Sequence, residues 1–576
     1  MLIFITCFNY YSYQLFKTFN SIHNNSTFEF IKIELMKQIL FSVFLLSFYN
    51  LLVAQTPTDY LSKEFHKNRR EILRQKMSKN SVAVVFANPI RNRANDVDYV
   101  FHQDPDFYYL TGLREPNAVV LIFSENRTDK IGNTYNEVIY LPKKDPIYEL
   151  WNGKRLGVEG AKSQLGFSIA KTSEEFIEDA IDFTKFDEVY IKDFEDDYRN
   201  SLNKLGEVYD LVKSFKRNSN YNTSASLSEP KKKVYELIKA TPVENAANVA
   251  QALGKVMVYY PDLEKDELIQ GYRNTSDTNK IEAIKEKATL KLSIKHNNIN
   301  KEFLSIKMAQ MREIKTAEEL KLLTKAIRIS AVGQIEVMKA MKPHMSETEI
   351  QGIHEFVYKK YGAEYEGYPS IVGAGNNGCI LHYIENNRTK VDNDLVLMDL
   401  GAEYRGYTAD VTRTIPANGK FSPEQKAIYE IVLEAQNAGI AVCKVGNQFW
   451  APGQQSKTII NEGLLKLGII KSIDEKHSYF PHGTSHHIGL DVHDPGTYGK
   501  LAKNMVITVE PGIYIPEGSS CDKKWWGIAV RIEDDILITE QGPKNLSEEA
   551  PRTIKAIEKM MAKKSVLDDF ILPSLD

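Results

Sequence analysis

The sequence predicts two folded domains: a mixed α/β amino-terminal domain, then an α+β domain built largely of antiparallel strands. Three observations carry this reading. The chain has 576 residues, more than one ordinary core accommodates. Short β-rich runs bounded by turn residues recur between residues 60 and 195. From residue 311 onward, strand-like runs come in adjacent pairs, as hairpins do.

The elements follow in chain order. Residues 1–35 are rich in Phe, Tyr and Asn, without a clear pattern, and read as an upstream extension from a start codon placed too early. From Met36 the chain reads "MKQILFSVFLLSFYNLLVAQTP": a lysine, an apolar run, then a small-residue exit at Ala54. That is the pattern of a signal peptide over 36–54. The alternative, a membrane anchor, is disfavoured because the run is shorter than the roughly 20 residues a spanning helix needs. No cysteine follows it to carry a lipid.

Residues 55–200 form the amino-terminal domain. "SVAVVFAN" (81–88), "NAVVLIFS" (117–124) and "NEVIYLP" (136–142) read as strands, and "FHQDPDFYYLTGLREPNAVV" as a loop dense in aromatic and acidic residues. Residues 201–310 form a helical connecting segment. It holds a polar linker or surface loop at 217–233 and an Ala/Lys/Glu-rich stretch with a solvated charged face at 245–305.

The second domain covers 311–565. Thr316 and Glu319 form a capping-box pattern ahead of an apolar periodicity, and helices are expected near 346–361, 422–443 and 453–467. "DLVLMDLGAEY" and "GYTADVTRTI" are two β-rich runs joined by a tight turn, and "MVITVEPGIYI" and "GIAVRIEDDILIT" are further strands.

Composition excludes several function classes. The net charge of −3 leaves no electrostatic footprint for nucleic acid or an anionic membrane. "VGAGNNG" is a turn, since no Lys-Ser/Thr follows it, and no dinucleotide fingerprint occurs. Cys7, Cys379, Cys443 and Cys521 are too few and too widely spaced for a disulfide framework, and none has a histidine at zinc-finger spacing.

Four of the twelve histidines stand in "HGTSHHIGLDVHD", residues 482–494. Asp399 and Asp410 are equidistant from a turn centred on Tyr404-Arg405 and would be direct cross-strand partners. A turn at Arg405-Gly406 makes them diagonal neighbours instead, and both registers bring them within roughly 5–8 Å. Two acids so placed in apolar strands repel each other and resist desolvation, and a cation between them removes both problems. Two exposed hairpin aspartates are the plain alternative. Glu510 ends the apolar run "MVITVE". In "AVRIEDDILI", Arg531, Glu533 and Asp535 share one strand face. Four carboxylates and one histidine suit two hard divalent ions. Two ions about 3.5–4 Å apart can hold a shared hydroxide and polarise a carbonyl.

The motifs "LMDLGAEYRGYTADVTRT", "HGTSHHIGLDVHDPG", "ITVEPGIY" and "VRIEDDI" resemble, in order and spacing, those of the Xaa-Pro aminopeptidase (aminopeptidase P) family of pita-bread metallopeptidases. "YPSIVGAGNNGCILHYIENN" (368–387) is similar to that family's substrate-side segment. "DPDFYYLTGLREPNAVV" and "ELWNGKRLG" are similar to its amino-terminal domain. The resemblance covers 311–550 closely and 60–195 more loosely.

It implies a pita-bread catalytic domain with Asp399, Asp410, His486, Glu510 and Glu533 as metal ligands, Asp410 and Glu533 lying between the two ions. Asp399 would serve one ion, and His486 and Glu510 the other. Glu510 is also the expected base. His382 and His493 would contact the substrate carbonyl and the tetrahedral intermediate. His482, Arg531, Tyr514 and Tyr368 would line or support the substrate pocket. His477 and His487 match no catalytic position. In a strand, His487 would face away from His486. Asp491, Asp494, Asp534 and Asp535 read as cap, hairpin or supporting groups, and Trp525-Trp526 as cleft lining or core packing.

The implied cofactors are two divalent ions, manganese first, with zinc or cobalt as alternatives. The implied partners are a peptide with proline in second place and a second copy of the chain, in a dimer or tetramer. No nucleic acid and no lasting membrane anchor are expected. The expected activity is an exported exopeptidase releasing the residue before that proline. A prolidase confined to Xaa-Pro dipeptides fits the same motifs. An inactive peptide-binding module does not, because such relatives lose ligands and all five are present here.

Overall fold

A sheet of six strands forms the frame of the amino-terminal domain. The structure is a computed structural model that describes residues 57–129, 132–194, 206–221, 229–293, 298–570 and 572–573. The upstream extension, the signal segment 36–54 and Cys7 lie outside the described residues, as do residues 222–228 of the polar stretch. Among the described residues no helix is long and apolar enough to cross a membrane. Cys379, Cys443 and Cys521 are free thiols.

Helix α1 (Lys63–Gln75) leads into β1 (Ser81–Phe86), α2 (Pro105–Thr111), β2 (Val119–Thr128), β3 (Thr134–Leu141), β4 (Ala170–Thr172) and β5 (Glu188–Tyr190). The stretch expected to be a loop contains α2. Asp104 caps its first turn, Pro105 opens it, and Gly112 closes it in the left-handed conformation with φ 74°. Residues 106 to 111 are all buried, so no amphipathic stripe advertises the helix.

Helices α3 (Val208–Asn218), α4 (Glu229–Ala240), α5 (Ala246–Tyr259), α6 (Glu267–Arg273) and α7 (Thr278–Ser293) make up the connecting segment. Part of the expected linker is thus helical, since α3 and α4 enter it from both sides. Tyr235, Ile238, Leu253, Ile269 and Tyr272 give these helices a core of their own. The segment ends in β6 (Ile299–Asn300), which pairs with β5 and completes the sheet order β4-β3-β2-β1-β5-β6.

Then come α8 (Phe303–Arg312), α9 (Ala317–Ala340) and α10 (Glu347–Lys360). The capping box forms as expected: Thr316 N–H donates to Glu319 Oε2 at 2.8 Å and Glu319 N–H to Thr316 Oγ1 at 3.3 Å. Strands β7 (Tyr365–Glu366), β8 (Ile371–Ala374), β9 (Leu395–Asp399), β10 (Ala402–Tyr404), β11 (Tyr407–Thr408) and β12 (Thr412–Pro416) form the sheets β8-β9-β12 and β11-β10-β7. Helices α11 (Pro423–Ala441) and α12 (Ala451–Lys466) follow. Strands β13 (Val506–Val509), β14 (Gly512–Ile515), β15 (Ile528–Arg531), β16 (Asp534–Thr539) and β17 (Gly542–Asn545) form β13-β16-β17 and β14-β15. Every pairing in this half is antiparallel, as expected.

Val337 and Met338 of α9, Val432 of α11 and Ile460 of α12 pack against Val396, Met398, Ile513 and Val530 of the strands. Phe107 and Tyr109 of α2 share a second core with Leu323 and Ile327 of α9 and with Tyr404 and Tyr407. Leu61–Asp576 is accordingly one compact unit.

Candidate metal centre

Four interruptions in the strands bring the acids together. The β10–β11 turn is Arg405-Gly406, with φ 54° and 86°, the left-handed pair a two-residue hairpin turn requires. The register is therefore the diagonal one, with Asp399 opposite Thr412 rather than Asp410. Between β9 and β10 the chain kinks at Gly401, where a Cβ would lie 2.0 Å from the Ala409 carbonyl oxygen. Asp410 sits in the matching gap between β11 and β12. Glu510 sits between β13 and β14, and Glu533 between β15 and β16. A regular strand would send neighbouring side chains to opposite faces; the interruptions let these acids converge.

Donor atoms of Asp410, His486 and Glu533 all lie within 4.8 Å of one another. Nε2 of His486 is 3.5 Å from Asp410 Oδ2 and 3.4 Å from Glu510 Oε1. Asp399 joins through Tyr368, whose hydroxyl is 2.6 Å from Oδ1 of both Asp399 and Asp410. Arg531 donates to Asp399 Oδ2 at 2.6 Å and to Tyr514 Oη at 2.9 Å. His482 Nε2 lies 2.7 Å from the same Tyr514 hydroxyl, and its Nδ1 3.7 Å from Glu510 Oε2. The exposed His493 ring meets His486 edge to face at 4.3 Å. His382 is exposed, near enough that its charge acts on both His482 and His493. All the expected site residues thus stand in one neighbourhood.

Burial and mutual repulsion set the electrostatics. Burial, then Asp399 and Asp535, hold Asp410 well above the usual carboxylate range. Burial, then Asp410 and Glu510, do the same to Glu533. Glu510 is raised by burial, an effect eased by His486 and Arg531. Burial also pushes Asp399 up, but Arg531 and the Tyr368 hydroxyl outweigh it and keep the group low. Burial lowers the His482 imidazole to about 4. Arg531 thus bonds Asp399 directly, whereas among the described residues no arginine or lysine pairs with the carboxylates of Asp410, Glu510 or Glu533. Oxygen donors resisting ionisation beside an imidazole are what divalent cations satisfy, so the donor set fits the two expected ions. Asp410, His486 and Glu533 form the nearest three-donor group, with Glu510 and Asp399 flanking it.

Supporting residues that sequence reasoning missed are now visible. Thr412 Oγ1 donates to Glu533 Oε2 at 2.7 Å, and Thr508 Oγ1 to Glu510 Oε1 at 3.4 Å. Both lie two positions from a site acid, a period-two signal that was available. Asp535, which the sequence already offers as a cap, hairpin or supporting group, accepts the Asp410 backbone N–H at 3.1 Å. Asp534 pairs with Arg413 on the opposite face, as the strand alternation predicted. His487 is fully buried and packs on Phe449 and Tyr498, and among the described residues neither ring nitrogen has a hydrogen-bond partner. Trp525 is buried in the core, and Trp526 packs against it while donating to the Ser519 carbonyl.

Similarity to known proteins identifies the family. Residues 66–190 match the aminopeptidase P N-terminal domain, and residues 321–540 match metallopeptidase family M24. The chain is 34% identical to the Xaa-Pro aminopeptidase of Haemophilus influenzae, over 87% of this chain and 98% of that one. It is 32% identical to the Xaa-Pro aminopeptidase of Escherichia coli, with the same coverage of both chains. The solved structure of zinc-substituted E. coli aminopeptidase P in complex with product is similar, with a TM-score of 0.66 and 31% identity over 87% of this chain and 98% of that one. With both domains matched in order and nearly the whole relative covered, the chain belongs to the Xaa-Pro aminopeptidases of metallopeptidase family M24.

Proposed function

We propose that the protein is an exported Xaa-Pro aminopeptidase that uses two divalent ions, manganese first, to release the residue preceding a penultimate proline. The observation that carries this is the convergence of Asp399, Asp410, His486, Glu510 and Glu533, with His382, His482 and His493 beside them. When bound, the ions acidify a water molecule and polarise the scissile carbonyl. Glu510, raised by burial and half-buried beside His486, takes the proton of the attacking water and passes it to the leaving proline nitrogen. His382 and His493 donate hydrogen bonds to the carbonyl oxygen as negative charge develops there. Arg531 keeps Asp399 ionised and fixes Tyr514, which in turn holds His482 at the pocket wall. The proline ring suits a preformed pocket, because its imide lacks an N–H and its φ is fixed. Export rests on the signal pattern at 36–54. The resemblance supports a homo-oligomer.

The test is a peptide panel with chelated protein reconstituted with manganese, zinc or cobalt. Arg-Pro-Pro should lose its first residue, Arg-Ala-Pro should not, and chelation should abolish turnover. Hydrolysis of Gly-Pro without hydrolysis of Arg-Pro-Pro would replace this reading with a prolidase. Equal activity in the wild type and Asp399→Ala would overturn the enzymatic reading altogether.

A further inference from the structure

Arg312, the last residue of α8, lies outside both matched regions and is almost fully buried. Its guanidinium donates to Asp106 Oδ1 of α2 at 2.7 Å, to Asp491 Oδ2 at 2.9 Å and to Asp494 Oδ1. Lys315 adds a bond to Asp494 Oδ2 at 2.9 Å and one to the Arg312 carbonyl at 2.6 Å. Lys192 pairs with the other oxygen of Asp106. The loop so gripped is folded tightly on itself. Asp494 N–H donates to the His487 carbonyl at 2.9 Å, and Asp491 N–H to Asp494 Oδ1 at 3.2 Å. At Gly489 a Cβ would come within 2.6 Å of Asp494 Oδ2 and 2.9 Å of Lys315 Nζ, so the packing tolerates no side chain there.

His493 stands inside this loop, between the two gripped aspartates. Its own side chain is exposed, and its ring meets that of His486. An exposed imidazole on irregular backbone aims at a carbonyl only if that backbone is held. The holding groups are the two carboxylates bound by one rigid guanidinium fork. A lysine at 312 would supply charge but not the planar fork.

We propose that Arg312 is a positioning residue: it locks the Asp491–Asp494 backbone so that His493 faces the reacting carbonyl, and through Asp106 it makes the amino-terminal domain part of that lock. The inference rests on the reading of His493 given above. Its action runs through turnover, because His493 is assigned to developing charge rather than to ground-state binding. A small misplacement of such a donor costs about ten- to a hundredfold in rate.

The test is a double-mutant cycle on Arg-Pro-Pro cleavage, with kcat expressed per metal-loaded folded site. Arg312→Lys and Asp106→Asn should each lower kcat by about tenfold or more, with KM within about twofold of the wild type. In a His493→Ala background the same substitutions should change kcat no further. Multiplicative losses in that background would overturn the inference, as would an effect confined to KM or to the folded fraction. His493→Ala with wild-type kcat would instead sink the reading of His493 itself. If Arg312→Lys does not fold, Asp491→Asn serves in its place, since that side chain is 42% exposed and its loss leaves the buried Asp106 and Asp494 pairs intact.

Discussion

Replacing Arg413 should disconnect the two acid-bearing segments of the metal centre. The side chain is fully buried, and all five of its N–H donors are engaged. Nε donates to the Pro551 carbonyl at 3.1 Å. Nη1 donates to the carbonyls of Thr412 and Glu533 at 2.8 and 2.6 Å, and Nη2 to Asp534 Oδ1 and the Ala550 carbonyl at 2.7 and 3.0 Å. Arg413→Met leaves the Asp534 carboxylate short of its principal cation. Arg552 at 3.3 Å, Gln436 and Ser547 remain beside it, which puts the loss near the lower end for a broken buried pair, about 3 kcal/mol. The carbonyls of Glu533, Ala550 and Pro551 lose a donor at about 1 kcal/mol each, while Thr412 keeps the Glu533 N–H. The expected total is about 6 kcal/mol. Arg413→Lys keeps the charge but offers three donors in place of five, for a loss of about 2–3 kcal/mol. Urea midpoints followed by near-ultraviolet circular dichroism, converted with the wild-type slope, give these values. Asp534→Asn added to Arg413→Met should restore part of the loss. A Met variant within 1 kcal/mol of the wild type, or a double variant less stable than the single, would refute the reasoning.

Two further predictions concern parts that frame the site. His66 is buried beneath α2, with Nδ1 3.0 Å from the Tyr109 carbonyl, and burial lowers its imidazole from 6.5 to about 4. The folded protein therefore binds fewer protons than the unfolded chain. Stability is full above pH 6.5 and is lost as pH falls towards 4, by about 3 kcal/mol for this gap. Urea midpoints against pH should have a shallower acid limb in His66→Gln, and identical limbs would count against the assignment. Glu347, fully buried, accepts from the backbone N–H of Ala374 and Arg388 at 2.8 and 2.9 Å, from Tyr383 Oη at 2.9 Å and from Asn377 Nδ2 at 3.1 Å, anchoring the loop that carries His382. Glu347→Gln turns a donor group toward donors and should cost about 2 kcal/mol, with faster hydrogen exchange at Ala374 and Arg388. Unchanged protection at both amides would contradict that role.

What was legible in the sequence was short in range. The Thr316–Glu319 capping box depends on residues three apart, and it formed as read. The Asp399–Asp410 relation needed only a count across one turn. Even there the count left two registers open, because the choice between Tyr404-Arg405 and Arg405-Gly406 depends on which residues enter the left-handed region. Helix α2 was misread for the opposite reason. Its caps were in plain view at Asp104, Pro105 and Gly112, but its periodicity was hidden by burial on every side.

The supporting shell was illegible in proportion to sequence separation. Arg312 stands 206 residues from Asp106 and 182 from Asp494, and nothing local distinguishes it from a surface arginine. Arg413 lies 121 residues from Asp534. The ligand residues were readable because acids are out of place in apolar strands and therefore carry an electrostatic question with them. The arginines that answer such questions look ordinary until the fold assigns each one a carboxylate. Buried pairs of this kind contribute little net stability compared with apolar packing, yet leaving one half unpaired is costly. They fasten elements to one another in a single arrangement. Here the fastened elements are the strand breaks and the histidine loop, which require a fixed arrangement because a metal centre and its hydrogen-bond donors tolerate displacements of only about half an ångström.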